Sequence, residues 1–141
     1  MTRIDFYILS KNDPAARDLY ACRLAQKAWD LGHHVYLHVD EEVHGKQLDE
    51  LLWTFNQGSF IPHRFSREPA ACEEPVILGC GEQAPPNSDV LINLGESVPS
   101  FFSQFERVAE LVGGDATHRE RGRERYRFYR ERGYPLHDHR L

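Results

Sequence analysis

The sequence has no apolar run approaching the roughly 20 residues needed to cross a bilayer, which excludes a membrane-spanning helix. It has no Walker loop and no Gly-x-Ser-x-Gly elbow, the signatures of a phosphate cradle and of a serine nucleophile. Cysteine is scarce. Cys22, Cys72 and Cys80 are odd in number and lack paired spacing, so they read as reduced thiols of a cytoplasmic protein rather than a disulfide framework. Met1 to Phe6 enter strand-like sequence directly, and no signal peptide is expected. Gly79-Cys80-Gly81-Glu82 lacks the third glycine of a dinucleotide loop. Pro85-Pro86 soon after forbids the helix whose N-terminus would hold phosphate, so a tight turn is expected and no cofactor. His137-Asp138-His139, with His33, His34, His38 and His44, lacks the Cys or Glu spacing that completes a tetrahedral set. These histidines read as a solvated, frayed tail and scattered surface residues, with no metal expected.

What is present is the composition of one globular domain over residues 1–141, with 40% hydrophobic and 28% charged residues. The net charge of -5 is unevenly spread. Residues 115–141 hold eight Arg and five acids, giving +3, which leaves -8 on residues 1–114. An acidic body argues against direct binding of a nucleic-acid backbone, which needs a wide positive face, but allows a local site for an acidic ligand.

Arg3 to Leu9, rich in β-branched and aromatic residues, reads as a first strand, central in its sheet. Asn12 or Asp13 can cap a helix with Pro14 at its first position, running to about Leu31 and ended by Gly32. His34 to Val39 is a second strand, and strand–helix–strand implies a parallel pair with a right-handed crossover. A second helix ends near Phe55. Residues 64–75 read as a loop, Pro75 to Gly79 as a short strand, Asp89 to Leu94 as a strand in the middle of the sheet, and 100–105 as a helical turn. Arg107 to Val112 suits a strand, although the same letters suit a helix. A last helix spans about Ala116 to Arg132 before Gly133 and Pro135. The order predicts an α/β fold: a Rossmann-like three-layer sandwich, a mostly parallel sheet with helices on both faces.

Two segments carry candidate contact residues. On the second helix Leu48, Leu51, Leu52 and Phe55 fall within one arc of about 100°, while Trp53 falls about 140° from Leu48, off that face. After the turn Asn56-Gln57-Gly58-Ser59, the segment Phe60-Ile61-Pro62 presents apolar side chains with no obvious cover. Either Trp53 and Phe60 form a contact surface for another protein, or they pack on each other or under a later helix. On the last helix Arg119, Arg123, Arg127 and Arg130 share an arc of about 80° at ~100° per residue, with Gly122, Tyr126, Tyr129 and Gly133 on the neighbouring face. Glu120, Glu124 and Glu131 form an adjacent acidic stripe. A solvated helix laced with Arg–Glu pairs explains part of this pattern. It does not explain why every basic position is Arg, the better fork for carboxylates, nor why Tyr126 borders the stripe. Together these suit an acidic peptide with a hydrophobic end.

Phe6-Tyr7-x-Leu9, Leu48-Asp49-x-x-Leu52-Trp53, Ser59-Phe60-x-Pro62-His63, Asp89-Val90-Leu91-Ile92 and Arg123-Glu124-Arg125-Tyr126-x-x-Tyr129 occur in collinear order across nearly the whole chain. In these features the sequence resembles the chi subunits of the bacterial DNA polymerase III holoenzyme, part of the clamp-loader complex. The resemblance implies a non-catalytic subunit with a Rossmann-like fold, no nucleotide binding and no direct nucleic-acid contact. It implies two partners: the psi subunit and the acidic C-terminal tail of single-stranded-DNA-binding protein. By position it carries the tail-binding pocket onto Phe60, Val112, Arg123, Tyr126 and Arg127, the last being lysine in another member of the family. Trp53 would belong to the same surface or to the psi contact. Arg119 and Arg130 are further contact candidates without an assigned partner. A small Rossmann-like nucleotide-binding enzyme and a direct single-stranded-DNA binder are the alternative readings.

Overall fold

In the computed structural model, which describes all 141 residues, Asp13 caps the first helix by accepting a hydrogen bond from the Ala15 amide, and Pro14 occupies its first turn. This helix, α1 (Pro14–Asp30), follows the strand β1 (Arg3–Ile8) and leads to β2 (Val35–His38). Then come α2 (Glu42–Thr54), β3 (His63–Phe65), β4 (Val76–Gly79), β5 (Val90–Asn93), β6 (Arg107–Val112), α3 (Ala116–Glu131) and β7 (Leu136–Arg140). Two short 3-10 turns, Pro69–Ala71 and Phe102–Gln104, complete the chain. α1 and α3 are each followed by a glycine with positive φ, Gly32 at +89° and Gly133 at +77°, a conformation that costs glycine nothing and stops the helix.

The seven strands form one sheet in the order β3-β4-β2-β5-β6-β1-β7, parallel throughout. Both faces are covered, which is why the inner strands read as continuous apolar runs. Along β2, Val35 and Leu37 point to one face and Tyr36 to the other; β4 repeats this with Val76, Leu78 and Ile77. The first face packs on α1 and α2 through Ala21, Cys22, Ala25, Leu48 and Leu52, with Leu51 and Phe55 half-buried at its margin. The second face packs on α3 through Tyr129 and on the segment of Phe101, Phe102 and Phe105. This is the expected three-layer α/β sandwich, with β6 a strand and β5 at the centre of the sheet.

Three expectations are corrected. β1 is not central: it lies one strand in from the edge, because β7 pairs with its free side, Phe6 opposite Asp138 and Ile8 opposite Arg140. The tail His137-Asp138-His139 is therefore an edge strand rather than frayed chain. Its polar letters suit an edge, and the unpaired backbone of β1 supplies the partner. Residues 64–75 are not all loop, since His63–Phe65 adds to the opposite edge beside β4. His63 ties this edge to α2, its ring nitrogens lying 2.7 Å from the Ile61 carbonyl and 2.8 Å from the Asp49 carbonyl.

Candidate functional site

The rotation of α3 about its own axis is set by one buried group. Glu110 of β6 is fully buried, and three side chains donate to it. Arg125 Nε lies 2.8 Å from Oε1, Tyr129 Oη 2.6 Å from Oε2, and Asn93 Nδ2 3.0 and 3.1 Å from the two oxygens. Burial raises the Glu110 pKa on balance, while the Arg125 guanidinium, the Tyr129 hydroxyl and the Asn93 amide pull the other way. Every neighbour is a donor, so the arrangement suits the ionised carboxylate. On the helical wheel Arg125 and Tyr129 lie near 240° and 280° from Arg119. Anchoring them inward turns Arg119, Arg123, Arg127 and Arg130 outward, where all four are exposed. Gly122 then brings the helix close to β6: a Cβ there would stand 2.9 Å from a methyl of Val112.

The outward arginines have no carboxylate partner. The arginine ion pairs of α3 are Arg121 with Glu96 at 3.5 Å and Arg125 with Glu110 at 2.8 Å. The expected lacing with Glu120, Glu124 and Glu131 is not formed; an exposed pair gains only ~0–1 kcal/mol against the entropy of fixing two long side chains.

Between α3, β1 and β7 lies a cleft of about 230 Å³. Phe6, Ile8, Val112, Gly122 and Tyr126 form its apolar floor and wall; Arg119 and Arg123 stand on the helix side, Asp138 and Arg140 on the strand side. Phe6 and Tyr126 pack with ring centroids 5.1 Å apart. The structure thus brings together Val112, Arg119, Arg123 and Tyr126. Arg127 and Arg130 continue the stripe beyond the cleft lining. Phe60 does not join it. It precedes β3, and β3 lies four strands from β6, roughly 19 Å at ~4.8 Å per strand. Collinear motifs carry no information on which sheet edge each will occupy, which is why the two groups merged in the sequence.

Phe60 instead packs edge-on against Trp53 with centroids 5.8 Å apart, and Trp53 lies over His63 at 4.3 Å. The pair covers itself only in part: Trp53 is 51% and Phe60 77% exposed. The two aromatics therefore pack on each other and still leave an exposed apolar patch.

Phe6, Ile8, Asp138 and Arg140 were missed as cleft residues. The i,i+2 spacing of Asp138 and Arg140 was the available signal, because a strand puts such a pair on one face. Elsewhere, Gly79 makes room for the Tyr36 hydroxyl, which a Cβ would meet at 2.5 Å, and no helix follows it to hold a phosphate. No three His, Cys, Asp or Glu side chains are arranged to hold a metal ion, and no helix is long and apolar enough to cross a membrane.

Comparison with known proteins gives a family model described as DNA polymerase III chi subunit, HolC, matching residues 1–137. The chain is 50% identical over 141 residues to the DNA polymerase III subunit chi of Pseudomonas aeruginosa, covering 100% of this chain and 98% of that protein. It is 32% identical to the subunit chi of Haemophilus influenzae, over 93% of this chain and 92% of the relative. The subunit chi of Escherichia coli K12 is 30% identical, with 96% of each chain covered.

Proposed function

The chain belongs to the DNA polymerase III chi subunit family, and from that premise we propose that it acts in the cytoplasm without catalysis of its own, joining two proteins through two separate surfaces. Membership makes it a component of the polymerase III assembly. The cleft between α3 and β7 receives the acidic C-terminal tail of single-stranded-DNA-binding protein, with Arg123 and Arg127 meeting its carboxylates. Val112 and Tyr126 receive the apolar last side chain. The observation that carries this reading is the apolar floor ringed by guanidinium groups that have no carboxylate within the chain. Such a site lacks what a tail of aspartates ending in an apolar residue supplies. The exposed Trp53–Phe60 pair at the other sheet edge takes the psi subunit, since aromatic residues on an otherwise polar surface are the usual anchors of protein contacts.

Calorimetric titration of a synthetic acidic peptide with an apolar C-terminal residue tests the cleft. A charge-assisted hydrogen bond contributes about 1.5–3 kcal/mol, so Arg123→Ala should weaken binding roughly ten- to a hundred-fold. Arg121→Ala, whose side chain pairs with Glu96 away from the cleft, should change little. Equal affinities for the two variants reject the site, and no binding by the wild type rejects the function.

A further inference from the structure

The cleft is not symmetric along its length. β7 runs parallel to β1, and its side chains alternate. Asp138 and Arg140 face the α3 side beside Phe6 and Ile8, whereas His139 turns to the other face, stacking on Tyr7 and hydrogen-bonding Asp5. α3 leaves the carboxyl end of β6 and runs back over the sheet, so Arg119 in its first turns stands at the same end as Arg140. Tyr126 lies seven residues further along the helix, about 10 Å at ~1.5 Å per residue. Asp138 precedes Arg140 by about 6.6 Å along the strand and lies toward that second end. One end therefore holds two guanidinium groups, with Arg123 between the ends and one carboxylate on the far strand wall. Arg119, Arg123 and Arg140 join none of the arginine ion pairs of the chain. The first turns of α3 add the positive end of the helix dipole to the cationic end.

We infer that Arg140, together with Arg119, receives the free α-carboxylate of the peptide that occupies the cleft, and that Asp138 sets the direction in which this peptide runs. The inference rests on the reading of the cleft as an acidic-tail site. With its terminal carboxylate at the Arg119–Arg140 end, the peptide lays its last side chain on Ile8 and Val112 and against the packed Phe6–Tyr126 pair. Its preceding acidic residues then extend along α3 past Arg123 to Arg127 and Arg130, which accounts for a stripe that continues beyond the cleft. Asp138 repels those acidic residues from the strand wall and holds them to the helix side.

The experiment compares an acidic peptide ending in a free carboxylate with the same peptide ending in an amide, titrated against the full chain. Wild type should lose about tenfold on amidation, the equivalent of one charge-assisted contact. Arg140→Ala should lose about tenfold for the free acid and almost nothing for the amide, while Arg140→Lys recovers part of the loss. Arg127→Ala should weaken both peptides by the same factor. Asp138→Asn should tighten the free acid a few-fold, an effect that shrinks as salt rises. Arg140 is exposed, so an unchanged melting temperature should accompany its substitution. Equal losses for acid and amide in Arg140→Ala, or no loss at all, overturn the inference while leaving the cleft as the tail site. No binding of the free acid by wild type overturns both.

Discussion

Glu110 shows how one residue can decide the position of a surface it never touches. Its carboxylate is sealed under α3, and Arg125 is the one cation that neutralises it. Removing one partner of a buried pair leaves an uncompensated charge, a loss of about 3–5 kcal/mol, whereas replacing both partners by apolar residues of similar volume is often close to neutral. Arg125→Ala should therefore lower the unfolding free energy by about that much in urea titrations. The double variant Glu110→Leu with Arg125→Met should recover only part of it, because Tyr129 and Asn93 lose their buried acceptor, at about 1–3 kcal/mol per unsatisfied group. If Arg125→Ala costs under 1 kcal/mol, the pair does not hold the helix as described. In the sequence Arg125 is one arginine among eight in the last 27 residues, with nothing in its letter to separate it from the stripe. Its place on the wheel beside Tyr129 was the signal, and an acid in the middle of the apolar strand β6 was the second. Reading both together would have exposed the pair.

At the scale of elements, the strands with apolar alternation and the helices with caps and terminal glycines were legible, because burial on two faces and helix ends leave marks in the sequence. The edge strands β3 and β7 were not. Each is short, half in solvent, and defined by a neighbour's unpaired backbone rather than by its own letters. What holds β7 in place is also distant in sequence. Asp5, 2% exposed, accepts from His139 Nε2 at 3.0 Å, from Arg107 Nη2 at 2.9 Å and from Arg3 Nη2 at 3.1 Å. Burial pushes the Asp5 carboxyl up, and the hydrogen bonds from His139, Arg107 and Arg3 together outweigh it, leaving the group below its ordinary value of 3.8. A carboxylate with a lowered folded-state pKa contributes its full stabilisation above the unfolded value and loses it as pH falls through the folded one. Melting temperature should accordingly drop as pH falls below about 4, with the amide signals of residues 136–140 broadening first. Asp5→Asn should flatten that part of the acid slope and lower stability at pH 7. An acid profile identical in Asp5→Asn and wild type would show that this cluster does not fasten the strand.

For the whole molecule the decisive feature is that its two candidate surfaces sit at opposite ends of one seven-stranded sheet. The cleft belongs to α3, β1 and β7, on the face opposite α1 and α2; the Trp53–Phe60 patch belongs to α2 and the edge at β3. The body between them carries -8 and the C-terminal segment +3, so an acidic peptide is repelled by most of the molecule and drawn to one end of it. Sites more than about 10 Å apart with no shared partner usually add within ~0.5 kcal/mol, and a packed parallel sheet with no hinge between the edges offers no second arrangement to couple them. The expected outcome is independence. Phe60→Ala, which empties an exposed aromatic anchor, should weaken psi-subunit binding by about 2 kcal/mol or more, roughly thirty-fold, and leave the acidic peptide's affinity unchanged. Arg123→Ala should do the reverse, and the double variant should show the two losses with no extra term. Titrating the peptide into the free chain and into its complex with the psi subunit completes the cycle. Affinities that differ by more than about threefold, beyond the ~0.5 kcal/mol of ordinary additivity, would show that the surfaces communicate or overlap. A loss of peptide binding in Phe60→Ala would return Phe60 to the cleft, against its place at the far edge of the sheet.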